Sequence, residues 1–323
     1  MVDNESVAQT FIHGQPEADP GACSAARRLA PAMLDASDPL NYAWQRQRMW
    51  SIAASRLKAD LRRWRRVTLG LNVAAAVLAT LGVLTGLSST GGKVLTFLAA
   101  LAIGVTTLTR PRHSPNIVRD WTRLRSVSEG IKSEVYLRLM QVPPYQRADA
   151  DAELRKTVTK IEEDADTLEL RLNGIQVEPR TLPELADLDA YVAERIDDQI
   201  NSYYLKRAGE LDMTLRRVRI ALSGLALAGI VLAAAGGTWE VEEIAMWVPV
   251  ISTAAAALTA YAAAERYDFL RVEYARTAGG LRRLRDDRAD MPAPDFVKRA
   301  EELISVENQA WMVKLGEDAP DGS

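Results

Sequence analysis

The sequence predicts an all-α membrane protein with two tandem helical repeats, each a two-transmembrane hairpin with long cytoplasmic helical extensions. Three observations support this fold class. The 323-residue chain contains four charge-free apolar runs, a short turn separates the runs of each pair, and "LRRWRRVTLGL" from Leu61 recurs as "LRRVRIALSGL" from Leu215. Average composition conceals this arrangement, because 48% hydrophobic and 26% charged residues would also suit a soluble protein.

The two ends of the chain differ from the rest. Residues 1–38 are rich in Pro, Ala and Asp without periodicity, so this segment and the tail at 316–323 are predicted to be disordered. No cleavable signal peptide is expected. The single cysteine, Cys23, excludes an internal disulfide. Because the two histidines lie far apart in sequence, neither a metal site nor a cofactor is expected.

The first predicted unit covers residues 39–172, with spans at about 67–87 and 91–109. Before the first span, apolar side chains recur on one helical face: Trp50, Ala53, Leu57, Leu61 and Trp64. No helix breaker separates this amphipathic stretch from the apolar run. A single long helix is therefore predicted to continue into the bilayer.

A linker at 173–184 leads to the second predicted unit, 185–315, with spans at about 220–239 and 244–264. Its first helix shows the same periodicity, with Tyr204, Ala208, Leu211, Leu215 and Val218 on one face. The alternative for all four runs is a set of buried helices in a large soluble bundle. Runs near 20 residues, each paired across a tight turn, favour membrane spans.

Arginine clusters precede the first and third spans: Arg62, Arg63, Arg65 and Arg66, then Arg216, Arg217 and Arg219. The positive-inside rule places both termini and the central segment in the cytoplasm of a multi-pass inner (plasma) membrane protein. Topology alone would explain these positions, and attraction to membrane lipids follows from them. Docking of a nucleotide messenger is the alternative role, whereas nucleic-acid binding is not expected.

No catalytic motif occurs in the sequence, so an enzyme is not expected. Two acidic pairs, Glu162/Glu163 and Glu301/Glu302, are interpreted as parts of solvated helix faces. Apart from Lys93 in the turn at the start of the second span, the predicted spans lack charged residues, which argues against an ion-coupled transporter.

Polar side chains within the spans have two interpretations, lining of a narrow aqueous path or hydrogen bonding between helices. The candidates are Asn72, Thr106, Thr107, Ser252, Thr253 and Thr259. Small residues such as Gly70, Ala74, Gly224 and Ala228 permit close helix approach and predict a homo-oligomer. Conduction would require such an oligomer, because four spans cannot enclose a wide channel.

The pattern resembles the SLATT domain, a two-transmembrane effector domain associated with nucleotide-sensing modules in bacterial conflict systems. In the first unit the resemblance is carried by Trp50 and, around "RDWTRLR", by Trp121, Arg125 and Glu129. The second unit offers the aromatic residues Tyr204 and Phe269, but it has "TAGGL" where the first has "VSEGI". These aromatic residues are expected to pack the cytoplasmic helices.

Two functions follow as hypotheses. The resemblance implies a non-enzymatic membrane effector that forms a pore or depolarises the membrane when an upstream nucleotide-signalling sensor protein reports infection or stress. The alternative is a membrane-anchored scaffold whose cytoplasmic helices bind protein partners. Both need small residues in the spans and amphipathic helices outside them, so the sequence leaves the two open.

Overall fold

The computed structural model of the chain describes residues 38–316, apart from 179 and 240. The predicted disordered tails therefore fall almost wholly outside the described residues. Within them every regular element is helical. Eight longer helices follow one another: α1 (Pro39–Leu84), α2 (Thr90–Thr109), α3 (Pro115–Leu139), α4 (Ala150–Glu163), α5 (Leu188–Trp239), α6 (Val248–Glu265), α7 (Tyr267–Asp286) and α8 (Ala293–Gly316).

Helix α1 runs without interruption from polar into apolar sequence, as the absence of a helix breaker predicted. It begins where the Asp38 carboxylate accepts hydrogen bonds from the backbone N–H groups of Leu40 and Asn41, at 3.0 and 3.2 Å. Pro39 occupies the first turn, where a missing N–H group costs no hydrogen bond. Helix α5 is also continuous, but Val192–Asp197 and Gln199–Leu205 within it are π-helical.

Four helical segments of the described chain are long and apolar enough to cross a membrane: Pro39–Leu84, Thr90–Leu139, Leu188–Trp239 and Glu243–Asp290. The protein covers little of their apolar surface, and none of the apolar window of α5 is buried. Large exposed side chains include Phe97, Leu101, Ile103, Ile220, Leu227 and Ile230. Apolar patches of this extent are covered by lipid or by other chains. They argue against the alternative of buried helices in a soluble bundle.

Outside the spans, the two halves of the chain share one hydrophobic core. Helix α3 packs along α1 and against α4, all from the first half. Helix α8, from the second half, packs more extensively on α3 than on its own neighbour α7. Helix α6, a candidate span of the second half, also packs against α1. The core includes Trp44, Leu124, Leu154, Tyr191 and Phe296. The halves are therefore not independently folded units.

The first hairpin requires a glycine where α2 begins against the end of α1. A Cβ at Gly92 would lie 2.2 Å from the carbonyl oxygen of Gly86 and 2.9 Å from that of Gly82. Ser89 Oγ accepts a 2.9 Å hydrogen bond from the Gly92 backbone N–H, which fixes the start of α2. Gly86 itself adopts φ +84°, a conformation that suits glycine.

Replacing Gly92 with alanine is expected to force α1 and α2 apart, because backbone atoms cannot rotate out of the way. Overpacking of this kind costs about 1–3 kcal/mol. The matched control is Gly91→Ala, whose Cβ would come no closer than 4.0 Å to the nearest atom, Ser89 Oγ. Thermal unfolding of both purified variants tests this. Equal melting temperatures for the two would contradict the close approach.

Candidate functional site

The arginine cluster before the first span lies at the boundary between the apolar segments and the bundle. Arg62, Arg63 and Arg66 are exposed, whereas Arg65 is largely buried and forms a 2.9 Å ion pair with Glu265. Glu265 is the last residue of α6, so this pair joins the two halves. Glu265 directly follows the predicted fourth span, and the sequence analysis attached no role to it.

A small cavity of about 50 Å³ adjoins this ion pair; we call it the boundary cavity. Its lining comes from α1, α3 and the α6–α7 junction: Lys58, Leu61, Arg62, Arg65, Val118, Trp121, Ala264, Glu265, Arg266, Phe269 and Leu270. Trp121 and Phe269, predicted to pack helices of separate units, thus line the same cavity. Arg266 separates α6 from α7 in a left-handed conformation, φ 50° and ψ 38°, which is uncommon for a residue other than glycine.

Lys58 has an unusual electrostatic environment in this cavity. Its Nζ lies 4.6 Å from the ring centroid of Trp121. Burial, followed by repulsion from Arg125 and Arg62, lowers the pKa of Lys58 to about 7. A substantial fraction of this lysine is therefore neutral near physiological pH.

Deeper in the bundle, α5 and α8 are joined by a buried ion pair between Arg195 and Glu301. The Arg195 Nε and Nη2 atoms donate to Glu301 at 2.9 and 2.7 Å, and Tyr191 Oη donates to the same carboxylate at 2.9 Å. Both side chains are about 2% exposed or less. The guanidinium also lies 4.5 Å from the ring centroid of Tyr136 on α3. The pair therefore links three helices from both halves.

The interpretation of Glu301 as part of a solvated face is wrong. Helix α8 buries Phe296, Val297, Ala300 and Ile304, and the side chain of Glu301 lies on the same buried face. Burial opposes the charge on Arg195, but the attraction of Glu301 outweighs it and holds the pKa of Arg195 above its usual value.

Glu129, which carries part of the SLATT resemblance, is close to this ion pair. Burial would raise the pKa of Glu129, but Lys132, Arg125 and Arg195 together hold it below the usual value. Within the described chain, its Oε2 atom has no hydrogen-bond partner. Burial in turn lowers the pKa of Lys132 to about 8. The sequence patterns assigned no role to Lys132 or Arg195, because they pointed only to the charged residues beside the spans and to the acidic pairs.

Trp50 on α1 and Glu162 on α4 form a largely buried contact between these two helices. Trp50 Nε1 donates to Glu162 Oε1 at 2.7 Å, and Arg46 Nε donates to the same oxygen at 2.6 Å. The interpretation of Glu162 as solvated is therefore also wrong, although Glu163 is exposed. Tyr204, the counterpart of Trp50 in the second half, is buried with its ring centroid 6.0 Å from that of Tyr274.

The six polar residues proposed as candidates within the spans form hydrogen bonds inside their own helices, or none in the described part of the chain. Thr106, Thr107 and Thr259 donate to carbonyl groups of their own helices, at 2.7, 2.6 and 2.8 Å. Asn72 and Thr253 are half-buried and Ser252 is exposed. In the described part of the chain, no hydrogen bond links any of the six to another helix. Their role in lining a path stays a prediction.

The second predicted arginine cluster is exposed. Arg216, Arg217 and Arg219 lie on the surface of α5, and Arg216 Nε contacts Asp212 Oδ2 on the preceding turn at 2.9 Å. No group of three or more His, Cys, Asp or Glu residues that could hold a metal ion occurs between residues 38 and 316 where the structure describes them.

The exposed apolar helices and the shared helical core define a class of protein: an all-helical, multi-pass membrane protein. Residues 191–311 match the family model described as the SMODS and SLOG-associating 2TM effector domain 1. Residues 48–153 match a different model, described as a protein of unknown function (DUF4231). The comparison with curated proteins found no match, and neither did the comparison with solved structures. Residues 191–311 of the chain are therefore similar to this two-transmembrane effector domain.

Proposed function

We propose that this chain is a non-enzymatic membrane effector that oligomerises and permeabilises or depolarises a bacterial inner membrane during a defence or stress response. The observation that carries the proposal is the match of residues 191–311 to a two-transmembrane effector domain. The predicted third and fourth spans, at about 220–239 and 244–264, lie within that region. Their exposed apolar faces supply the surface that lipids or further copies would cover.

We further propose that the chain arose by duplication of one two-span unit, although the two halves match different family models. The hairpins support this through the aligned pair Gly82 and Gly236. A Cβ at Gly82 would lie 2.6 Å from Thr96 Oγ1, and one at Gly236 would lie 2.9 Å from Ala245 Cβ. Each glycine thus permits close approach of the two arms of its hairpin.

The orientation of the chain in the membrane is also part of the proposal. The basic clusters before the first and third spans favour a cytoplasmic bundle, with both termini cytoplasmic and the hairpin tips outside. In this arrangement an upstream nucleotide-signalling sensor protein would contact the bundle. Because α1 and α5 continue from the bundle into the spans, a change in bundle packing would rotate or tilt the spans.

Contacts in the shared core would transmit a change in bundle packing to the spans. Helix α8 holds α5 through Glu301 and Arg195, and it packs on α3 of the first half. Displacing α8 would leave Arg195 without its carboxylate, inside the π-helical part of α5. π-Helical turns are frequent at functional sites. The trigger would therefore act by loosening the contact of α8 with α3.

Association between copies is proposed to use the glycines whose Cβ positions are open. A Cβ at Gly70 or Gly224 would meet nothing within 4 Å. A larger side chain at Gly224 therefore fits the single chain but would hinder close approach of a second copy. Ala226 is also exposed, on the opposite face of α5, and provides a matched position.

The test is induced expression of the full chain in bacteria loaded with a membrane-potential dye, with and without a candidate upstream sensor. We expect depolarisation by the wild-type chain and by Ala226→Leu, and a clear loss of depolarisation in Gly224→Leu. Crosslinking in isolated membranes should show oligomers for the first two chains only. Absence of depolarisation in every condition would refute the effector proposal.

The scaffold alternative makes the opposite prediction. If the spans only anchor the bundle, the membrane potential stays unchanged while deletion of α8 abolishes capture of a protein partner. The exposed spans fit an anchor as well as a pore, so the dye measurement separates the two functions.

A further inference from the structure

We propose that the boundary cavity is a binding site for a phosphate-bearing anion, with the phosphate held by Lys58, Arg62 and Arg65. Nothing in the proposed function assigns a ligand to this cavity. The inference concerns binding and does not depend on whether the protein conducts ions.

The cavity contains an excess of positive charge. Its lining includes four basic side chains, Lys58, Arg62, Arg65 and Arg266, but only one acidic side chain, Glu265. Glu265 is engaged with Arg65 Nη1 at 2.9 Å. Removing a cation from water costs free energy, and a bound anion would offset part of that cost for Lys58 and Arg65.

Two donors in this cavity also lack acceptors. Among the residues that the structure describes, no carboxylate lies within ion-pair distance of Lys58 Nζ, which contacts the ring of Trp121 instead. The Nε atom of Arg65 is buried and has no hydrogen-bond partner in the same part of the chain. A phosphate oxygen accepts hydrogen bonds from lysine and arginine, so it would satisfy both donors.

The second half of the chain provides an internal comparison. At the 154-residue offset that relates Leu61 to Leu215, Lys58 corresponds to Asp212. Asp212 forms ion pairs with Arg216 at 2.9 Å and Arg271 at 3.4 Å. The aspartate therefore pairs with two basic residues of the second half, whereas Lys58 adds a positive charge to those of the first.

The surroundings favour a lipid headgroup as the source of the phosphate. An apolar groove of about 460 Å³ shares Arg266 and Phe269 with the boundary cavity. Its other lining residues are mainly apolar, such as Leu215, Leu222 and Ala263, although they include Asp268. The cavity and groove lie where the spans meet the bundle, the level at which phospholipid headgroups reside. Free phosphate shares the same chemistry and is distinguished by experiment.

The test uses the full chain purified in an uncharged detergent. Phosphatidylglycerol, phosphatidylcholine and inorganic phosphate are titrated separately, and the melting temperature and the lipid retained in native mass spectrometry are recorded. A site filled at about 100 times Kd raises the melting temperature by several degrees. A rise with phosphatidylglycerol alone assigns a lipid headgroup, and a rise with inorganic phosphate as well assigns a soluble anion. No response to either overturns the proposal.

Variants of the arginine cluster separate the cavity from general surface charge. Arg62→Gln is expected to weaken phosphatidylglycerol binding roughly fivefold, as one cation near anionic lipid contributes about that factor. Arg63→Gln removes the same charge from an exposed neighbour outside the cavity lining and should leave binding nearly unchanged. Equal weakening in both variants would overturn the proposal.

The decisive change is Lys58→Asp, which introduces the residue present at position 212. It is expected to weaken binding roughly 30-fold, because it reverses one charge in the cavity. Should this variant fail to fold, Lys58→Met removes the unpaired charge without adding another and tests the same point. Unchanged binding in the folded variant would overturn the role of Lys58.

Binding should also depend on pH. The charged groups that influence Lys58 come from four helices: Arg62 on α1, Arg125 on α3, Arg207 on α5 and Glu265 on α6. Arg65 and Arg266 also line its cavity. Because the pKa of Lys58 is lowered to about 7, its charge is lost as the pH rises through neutrality. Phosphatidylglycerol keeps its charge over this range. Tighter binding at pH 6 than at pH 8.5 is expected in the wild-type chain and not in Lys58→Met.

Discussion

Replacing Glu301 with leucine is expected to destabilise the protein by about 3–5 kcal/mol, because it leaves the Arg195 guanidinium buried without its carboxylate. The Arg195 side chain is about 1% exposed and donates two hydrogen bonds to the Glu301 carboxylate. Tyr191 Oη would lose its acceptor in the same variant. For a chain of this size the loss corresponds to a melting temperature lower by roughly 10 °C.

The neighbouring Glu302 is the matched control for this prediction. It is exposed, so Glu302→Leu should change the melting temperature by little. The double variant Arg195→Met with Glu301→Leu removes both charges and should recover most of the stability, since apolar replacements of buried ion pairs are often neutral or stabilising. A melting temperature for Glu301→Leu equal to that of Glu302→Leu would disprove the buried ion pair.

Replacing Trp50 with alanine is expected to cost a similar amount, about 3–5 kcal/mol. Trp50 is 1% exposed at the contact of α1 with α4, so its removal leaves a large cavity in the shared core. Its Nε1 also donates to Glu162 at 2.7 Å, and the half-buried carboxylate would retain Arg46 as a partner. Thermal unfolding of the purified full chain measures this loss.

Two substitutions show which part of Trp50 matters. Trp50→Phe keeps most of the apolar volume but removes the donor to Glu162, so a loss of about 1–3 kcal/mol is expected. Trp64→Ala removes the same side chain from a half-buried position, where Arg112 lies 4.1 Å from the ring centroid, and should cost less than Trp50→Ala. If Trp64→Ala were the more costly of the two alanine variants, Trp50 would not be a principal core residue.

The buried ion pair also bears on how the two halves act together. A domain with two spans and its own core would respond to a trigger alone. Here α8 from the second half packs on α3 from the first, and Glu301 reaches Arg195 beside Tyr136 of α3. Movement of α8 therefore affects both halves. A switch of the kind proposed above would therefore involve both hairpins.

Much of the architecture could be predicted because it depends on local pattern. Periodic apolar residues such as Leu57 and Leu61 indicated a helix face, and the apolar runs after them indicated spans of membrane length. Trp50 and Tyr204 were predicted to pack helices, and both are buried. These inferences require only residues within a few turns of one another.

The charged contacts could not be predicted in the same way. Arg195 lies four residues after Tyr191, and Glu301 four residues after Val297, so each stands on the buried face of its own helix. That spacing was the available signal, and it indicates burial without naming a partner. The polar-face interpretation of Glu162 and Glu301 failed because an acidic residue can lie inside when an arginine from another helix meets it.

The sequence by itself determined the helices, the candidate spans and the segregation of basic residues, because hydrophobic periodicity and charge act over short stretches of chain. Only the tertiary structure decided that Arg65 meets Glu265, 200 residues away, and that Arg195 meets Glu301, 106 residues away. It also decided that Trp121 and Phe269 line one cavity. Such pairings depend on how whole helices cross, and helix crossing is set by the combined packing of many side chains rather than by any local motif.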